Sequence, residues 1–321
     1  MKHLESYVEE QMPTLLRATD RLWQPSDFLP DFTAESAHLE LLELQAEARS
    51  IPDDVLNTLV GDTITEEALP TYAQWLASMD GVGGAGCLTS SPWAAWNRAW
   101  CAEENRHGDV LACYLRLCGR VRMREVEVAI HHLVYDGMDI QTGTDPFRFF
   151  VYTSFQELAT LRSHRNVGLL AEKAGALRLH RMSRVIAGDE GWHATAYRLF
   201  VQKFLELETS EAVQAIADMF RTKIIMPAMN LREAGAGRGD TFKEFEVIAQ
   251  RSGIYTALDY VEIMESLVEA WGVAALTGLQ AEAARAQDYI CGLAARYRRA
   301  LDRIHGQKLA DTQFRFRWMA A

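Results

Sequence analysis

Glu103-Glu104-Asn105-Arg106-His107 and Asp189-Glu190-Gly191-Trp192-His193 share one grammar: an acid, a glutamate, two intervening residues and a histidine. Both stretches lie in segments with strong helix signals. Residues three apart share a helix face. Glu104 with His107, and Glu190 with His193, can therefore each grip one metal ion from adjacent turns. Glu66 stands upstream of the first motif and Glu157 upstream of the second. The chain reads as a glutamate helix followed by a Glu-x-x-His helix, twice over. A third Glu-x-x-His, Glu35 to His38, is taken as the chance match that so short a motif produces.

Proline and glycine divide the chain into helices. Ser50-Ile51-Pro52-Asp53-Asp54 looks like a capped start, and Asp80-Gly81 stops the pattern that follows. Pro70 removes the backbone donor to Glu66, which predicts a kink inside that helix. Four ligand helices are expected at about residues 52–79, 91–118, 146–165 and 176–207. Further helices are expected between residues 211 and 304, and a short one around 124–134 in the connection. No long β-alternation or low-complexity linker occurs. Residues 1–321 thus read as a single all-α domain. Its expected form is a ferritin-like four-helix bundle with additional flanking helices and one long crossover. In such bundles a glutamate from each of two helices and a Glu-x-x-His from each of two more hold a di-iron centre.

The faces agree with that reading. Trp100, Gly108 and Leu111 share the face of Glu104; Phe150, Thr153, Thr160 and Leu161 share that of Glu157; Ile186, Ala194 and Tyr197 share that of Glu190. Carboxylates turned into an apolar bundle each cost several kcal/mol if uncompensated. Two divalent irons would offset them. Mixed carboxylate and imidazole donors suit iron, and thiolate clusters for zinc or iron–sulfur are missing. A ligand histidine gives its second N–H to a partner. Glu103 and Asp189, four residues ahead of His107 and His193, are the candidates.

The formal net charge of −11 sets a simple nucleic-acid or anionic-membrane binder aside, since like charges repel. Residues 281–321 run the other way, with eight Lys/Arg against four Asp/Glu. That local excess suggests a docking surface for an acidic partner. Cys87, Cys101, Cys113, Cys118 and Cys291 form no C-x-x-C pair, which fits a reduced setting. There is no apolar run of about 18 residues, so no membrane span is expected. The start Met1-Lys2-His3-Leu4-Glu5 has the look of neither a signal nor a transit peptide.

The wording around these residues resembles soluble acyl-acyl carrier protein (acyl-ACP) desaturases. The resemblance lies in Glu103-Glu104-Asn105-Arg106-His107-Gly108-Asp109, in Trp23-Gln24-Pro25-Ser26-Asp27-Phe28-Leu29-Pro30 and in Ile64-Thr65-Glu66-Glu67-Ala68-Leu69-Pro70-Thr71-Tyr72. It continues in Tyr152-Thr153-Ser154-Phe155-Gln156-Glu157 and Tyr255-Thr256-Ala257-Leu258-Asp259-Tyr260, and it covers about residues 20–300. It implies iron ligands at Glu66, Glu104, His107, Glu157, Glu190 and His193, with Glu104 and Glu157 bridging. It implies that Trp23, Asp189 and His107 form a hydrogen-bonded chain carrying electrons from the surface. Thr160 matches a hydroxyl beside the oxygen site. The implied reaction is oxygen-dependent: two hydrogens leave adjacent methylenes of an acyl chain on ACP, and a cis double bond forms. The implied partners are ACP, a ferredoxin-type donor and a second copy in a homodimer. The implied setting is a bacterial cytoplasm.

The chain departs from the plant pattern at Gly191-Trp192, where plant relatives carry two basic residues. Trp75 and Phe149 look bulky for positions near the substrate tunnel, which suggests a changed chain-length or positional preference. The third departure is the set Arg296, Arg298, Arg299, Arg303, Arg315 and Arg317, a candidate landing surface for the carrier. Another di-iron oxidase or hydroxylase, or a non-catalytic acyl-carrier-binding protein, is the alternative reading.

Overall fold

Ser91 and Asp145 show how the chain starts its long helices. Ser91 Oγ accepts from the Ala94 N–H, and Asp145 Oδ1 accepts from those of Phe147 and Arg148. A proline follows each cap, at the helical position whose N–H has no partner to lose. The computed structural model describes residues 1–82, 90–304 and 312–320; Cys87 lies outside them. The helices are α1 Glu5–Leu15, α2 Ala37–Arg49, α3 Asp53–Glu66, α4 Leu69–Ser78, α5 Pro92–Leu117 and α6 Met123–Asp136. They continue as α7 Pro146–Lys173, α8 Leu177–Leu207, α9 Thr209–Thr222, α10 Phe242–Ser252, α11 Ala257–Ala270 and α12 Ala281–Ile304. Among the described residues the only β-type pairing is an isolated bridge, Val121 to Met319.

The bundle is made by α3, α5, α7 and α8. Helix α7 lies along α8, α3 lies against α5 and α7, and α5 closes onto α8. Helices α1 and α2 both cover the α5–α8 face, α9 and α11 pack on α7, α10 packs on α3, and α12 packs on α9 and α11. The core is continuous and rich in rings, with Trp93, Trp96, Tyr197, Phe150 and Phe200 all fully buried.

Three local features differ from the sequence expectation. The first ligand helix breaks in two instead of kinking. Pro70 cannot donate to Glu66, and the chain turns through Ala68, whose carbonyl accepts from Thr71 N–H at 2.9 Å. Helix α7 runs on to Lys173 and stops at Gly175, which takes φ 80°. There the Ala176 N–H reaches back to Ala171 O at 2.8 Å, a Schellman close. Helix α2 gave no clear signal because its leucines point several ways: Leu44 is buried, while Leu39 and Leu42 are exposed.

Two glycines set how closely α3 is approached. A Cβ on Gly108 would lie 3.0 Å from Glu67 Oε1 and 3.2 Å from Glu67 N. The glycine of the first motif thus lets α5 press against the α3–α4 break and bring His107 toward Glu66. A Cβ on Gly61 would fall 2.1 Å from the Phe245 ring. Alanine there gains about 1 kcal/mol of helix propensity, but the overpacking costs about 1–3 kcal/mol. Gly61→Ala is predicted to lower Tm in thermal denaturation, and Phe245→Leu in the same chain to recover part of the loss. A Tm above wild type in the single variant would contradict this packing.

Candidate metal centre

Six side chains meet in the middle of the bundle. Glu66 ends α3, Glu104 and His107 face inward from α5, Glu157 from α7, and Glu190 and His193 from α8, all buried. Two overlapping groups result. Glu66, Glu104, His107 and Glu190 bring one ligand atom each within 4.8 Å of one another, and so do Glu104, Glu157, Glu190 and His193. Glu104 and Glu190 belong to both groups. The expected bridging pair was Glu104 and Glu157; the geometry gives Glu190 the place of Glu157. The reason lies in the helix arrangement. Helices α5 and α8 run antiparallel, so the leading glutamates of the two motifs come face to face between the histidines. His107 Nδ1 lies 3.2 Å from Glu104 and 3.3 Å from Glu190. His193 Nδ1 lies 2.7 Å from Glu104. Glu157 stands on the His193 side at 3.6 Å, and Glu66 on the His107 side at 3.8 Å.

The inner atoms lack hydrogen-bond partners. His107 Nδ1, His193 Nδ1, Glu104 Oε1 and Glu157 Oε1 are enclosed and make no well-directed hydrogen bond among the described residues, and the two imidazole nitrogens meet only the clustered carboxylates. A buried polar atom left unpaired costs about 1–3 kcal/mol, and here several converge on the same two points. Hard oxygen and imidazole donors at these points fit two divalent irons.

The outer nitrogens are partnered across the bundle. His193 Nε2 lies 3.0 Å from Glu103 Oε2, and His107 Nε2 lies 3.4 Å from Asp189 Oδ2. Each acid serves the histidine of the opposite motif, not the one four residues after it. Asp189 Oδ2 also accepts from Trp23 Nε1 and from Arg106 Nη2, both at 2.8 Å, and Arg17 sits 3.0 Å from Oδ1. Burial pushes the Asp189 carboxyl up, but His107 and Arg106 outweigh it and hold it below the ordinary range. The Trp23 ring stacks on His107 with centroids 6.0 Å apart and planes 8° apart. The partly exposed Trp23 thus connects the surface to His107. Thr160 Oγ1 donates to Glu190 Oε2 at 2.8 Å.

Sequence reading missed a further layer. His164 Nε2 lies 2.9 Å from Glu66 Oε1, and Ser163 Oγ donates to Asp62 Oδ2 at 2.9 Å. Burial pushes the Asp62 carboxyl up to about 6. Helical spacing could have found them, since His164 follows Glu157 by two turns and Asp62 precedes Glu66 by one.

A cavity of about 510 Å³ opens beside the cluster. Glu66, Glu104, Glu157 and Glu190 line its inner part, and Thr160 and Gln156 stand next to them. Its outer walls are mostly apolar and come from residues 224–229, α10, α11 and the end of α12. Tyr72 and Trp100 also line it; Trp75 and Phe149, expected near the tunnel, do not. Trp75 lies one layer back, with its ring 5.0 Å from that of Tyr72 and its Nε1 donating to Met138 O. Phe149 is buried against Phe150. No described helix is long and apolar enough to cross a membrane.

The sequence profile described as Fatty acid desaturase matches residues 1–320. The chain is 45% identical to stearoyl-ACP 9-desaturase 5 of Arabidopsis thaliana chloroplasts, over 99% of this chain and 80% of the relative. It is 46% identical, with the same coverage, to the chloroplastic palmitoyl-ACP 4-desaturase 3 of Ophrys sphegodes. The fold is similar to the X-ray structure of a candidate acyl-ACP desaturase, DesA2 of Mycobacterium tuberculosis. The TM-score is 0.54 at 19% identity, covering 85% of this chain and 95% of that one.

The electrostatics give a test of the cluster. Burial pushes the Glu157 carboxyl well up, and Glu104 pushes it further. Burial would lower His107 and His193, but Glu104 outweighs it and holds both well above the ordinary imidazole range. At neutral pH the metal-free centre therefore holds protons that a metal must displace. Ferrous ion added in weak buffer is predicted to release protons, with apparent affinity rising as pH rises. Potentiometric titration measures both; metal uptake without proton release would place the metal elsewhere.

Proposed function

The chain belongs to the fatty acid desaturase family, and from that premise we infer that it desaturates an acyl chain carried as a thioester on ACP. The observation carrying this reading is four buried carboxylates and two imidazoles beside a mainly apolar cavity that the four carboxylates help to line. Bound at these six residues, a pair of irons supplies the oxygen-derived oxidising power that unactivated C–H bonds require and that no side-chain acid or base provides.

The protein's own part is to bind, orient and keep water out. Each methylene buried in the cavity contributes about 0.8 kcal/mol, so the walls set which two carbons stop beside the cluster. Thr160 fixes the Glu190 carboxylate through its hydroxyl. Glu103 and Asp189 fix the two ring orientations. The proposed product carries a cis double bond. A ferredoxin-type donor, delivering electrons through Trp23 and Asp189 to His107, is supported by the hydrogen bond and the stacked ring there. Pairing of two chains and a bacterial cytoplasmic setting complete the proposal.

Chain length and bond position are not carried over from relatives. Two relatives of nearly equal identity are named for different chains and different positions. At Tyr72 the cavity wall is backed by Trp75, which packs edge-on against Tyr152. We propose that this backed wall limits the room beyond the cluster and shifts the preference away from a long chain desaturated at its middle. Mass spectrometry of products from a panel of saturated acyl-ACPs checks it. A clear preference for the stearoyl chain with a 9-position bond would refute it.

The carrier is proposed to land on the end of α12. Tyr297 and Leu301 of that helix line the cavity, and the exposed Arg299 and Arg303 lie beside them in sequence. Arg298 is instead paired with Glu265, and Arg317 Nε lies 3.7 Å from Glu125. The doubly reversed variant Arg299→Glu, Arg303→Glu is predicted to raise KM for acyl-ACP several-fold with kcat little changed. Steady-state kinetics that left KM unchanged would move the landing surface elsewhere.

A further inference from the structure

A series of oxidisable rings leaves the ligand cluster along the α5–α8 seam. On α5, Trp93, Trp96 and Trp100 precede Glu104 at helical spacing and share its inward face. On α8, Tyr197 follows His193 by one turn. Because the two helices are antiparallel, the rings alternate like teeth. The His193 and Trp100 centroids are 6.4 Å apart, Trp100 and Tyr197 6.2 Å, and Tyr197 and Trp96 5.9 Å. Trp96 Nε1 also donates to the Tyr197 hydroxyl at 3.4 Å. Further out, the Phe200 ring touches Trp96 at 5.0 Å, Trp93 at 5.5 Å and Tyr7 at 6.4 Å. Tyr7 is partly exposed, with the Lys203 ammonium 5.5 Å from its ring centre.

Packing alone asks only for bulk along this seam. Leucine or phenylalanine fills a bundle core and carries no polar atom to satisfy. The Trp100 Nε1 is in fact buried without a hydrogen-bond partner among the described residues. What tryptophan and tyrosine add is chemistry: their rings give up one electron far more readily than aliphatic side chains or phenylalanine do. Edge-to-face contacts hold them in a continuous row. The row of oxidisable rings starts at a histidine of the cluster and runs to Trp96, and the Phe200 ring alone lies between Trp96 and the partly exposed Tyr7.

We propose that this row protects the enzyme by supplying electrons to the centre when it is oxidised with no acyl chain in reach. The proposal rests on the di-iron desaturase reading, whose own reaction with oxygen supplies the oxidant. For each oxidising equivalent one electron passes inward, from Trp100 to the centre and from Tyr197 and Trp96 to refill Trp100. The electron is finally drawn from Tyr7 in one hop past the Phe200 ring, which is not itself oxidised, and the phenolic proton of Tyr7 goes to solvent. An external thiol returns a hydrogen atom to the Tyr7 oxygen and leaves as half a disulfide. The protein ends unchanged.

The test uses the full-length iron-loaded protein, chemically reduced and exposed to oxygen without acyl substrate. Samples are frozen at intervals for electron paramagnetic resonance, and peptides are mapped for oxidised side chains. Tyr197→Phe and Trp96→Phe keep a ring in place, and neither residue lines the cavity. Wild type is expected to show an organic radical of indole or phenoxyl type. Each variant is expected to lose much of that signal and to survive several-fold fewer uncoupled turnovers. Oxidation products then accumulate at Trp100 and the ligand histidines, while desaturation of a good substrate proceeds at the wild-type rate. If wild type binds iron and takes up oxygen but forms no radical, or if both variants inactivate at its pace, the row is packing and the proposal falls. If wild type takes up oxygen only when acyl-ACP is present, this proposal alone falls; if it takes up none with acyl-ACP either, the desaturase reading falls and this proposal with it.

Discussion

Four carboxylates and two imidazoles enclosed in one helical bundle form the constraint on which the rest of the structure depends. In water each of these groups is well solvated; in the bundle each must be matched or neutralised. The outer atoms are matched by protein, through Glu103, Asp189, His164 and Thr160. Among the described residues the inner atoms make no well-directed hydrogen bond and face only one another. The asymmetry is informative. A bundle built only for stability would leave none of them unpaired, whereas one built around two cations leaves unpaired those atoms that face the cations.

Around this constraint the helices divide their roles. Helices α5 and α8 each bring one Glu-x-x-His and, one position earlier, the acid that orients the other helix's histidine. That crossing ties the helices together through buried charge-assisted hydrogen bonds, which are stronger than neutral ones. Helices α3 and α7 each add one terminal carboxylate and form walls of the cavity. Gly108 and Gly61 are the places where side chains had to be removed so that α5 and the Phe245 ring could close on α3. The acyl cavity and the Trp23 chain approach the same centre along separate routes.

Much of this was legible in the residues alone. The doubled motif declared the ligand helices, because the three-residue spacing has one structural meaning on a helix. Capped prolines gave the starts of α5 and α7; at α3 no side chain caps the start, and Ser50 Oγ turns back to Glu47 O. Three things stayed hidden, each for a physical reason. The place of Glu190 in both ligand groups depends on the antiparallel facing of α5 and α8, which no local pattern encodes. The crossed pairing of Glu103 and Asp189 has the same cause. The cavity wall at Tyr72, with Trp75 behind it, follows from the break at Ala68, where a kink was the natural reading of Pro70. The arginines of the C-terminal region looked alike in sequence, yet Arg298 and Arg317 are engaged with Glu265 and Glu125 of the same chain.

The central claim is that these six side chains hold two irons between them. Anomalous scattering at the iron edge from crystals of the iron-loaded protein measures this directly. Two peaks are predicted, one among Glu66, Glu104, His107 and Glu190, the other among Glu104, Glu157, Glu190 and His193. No peak inside the bundle, or one peak bound by a different set of residues, would contradict the account.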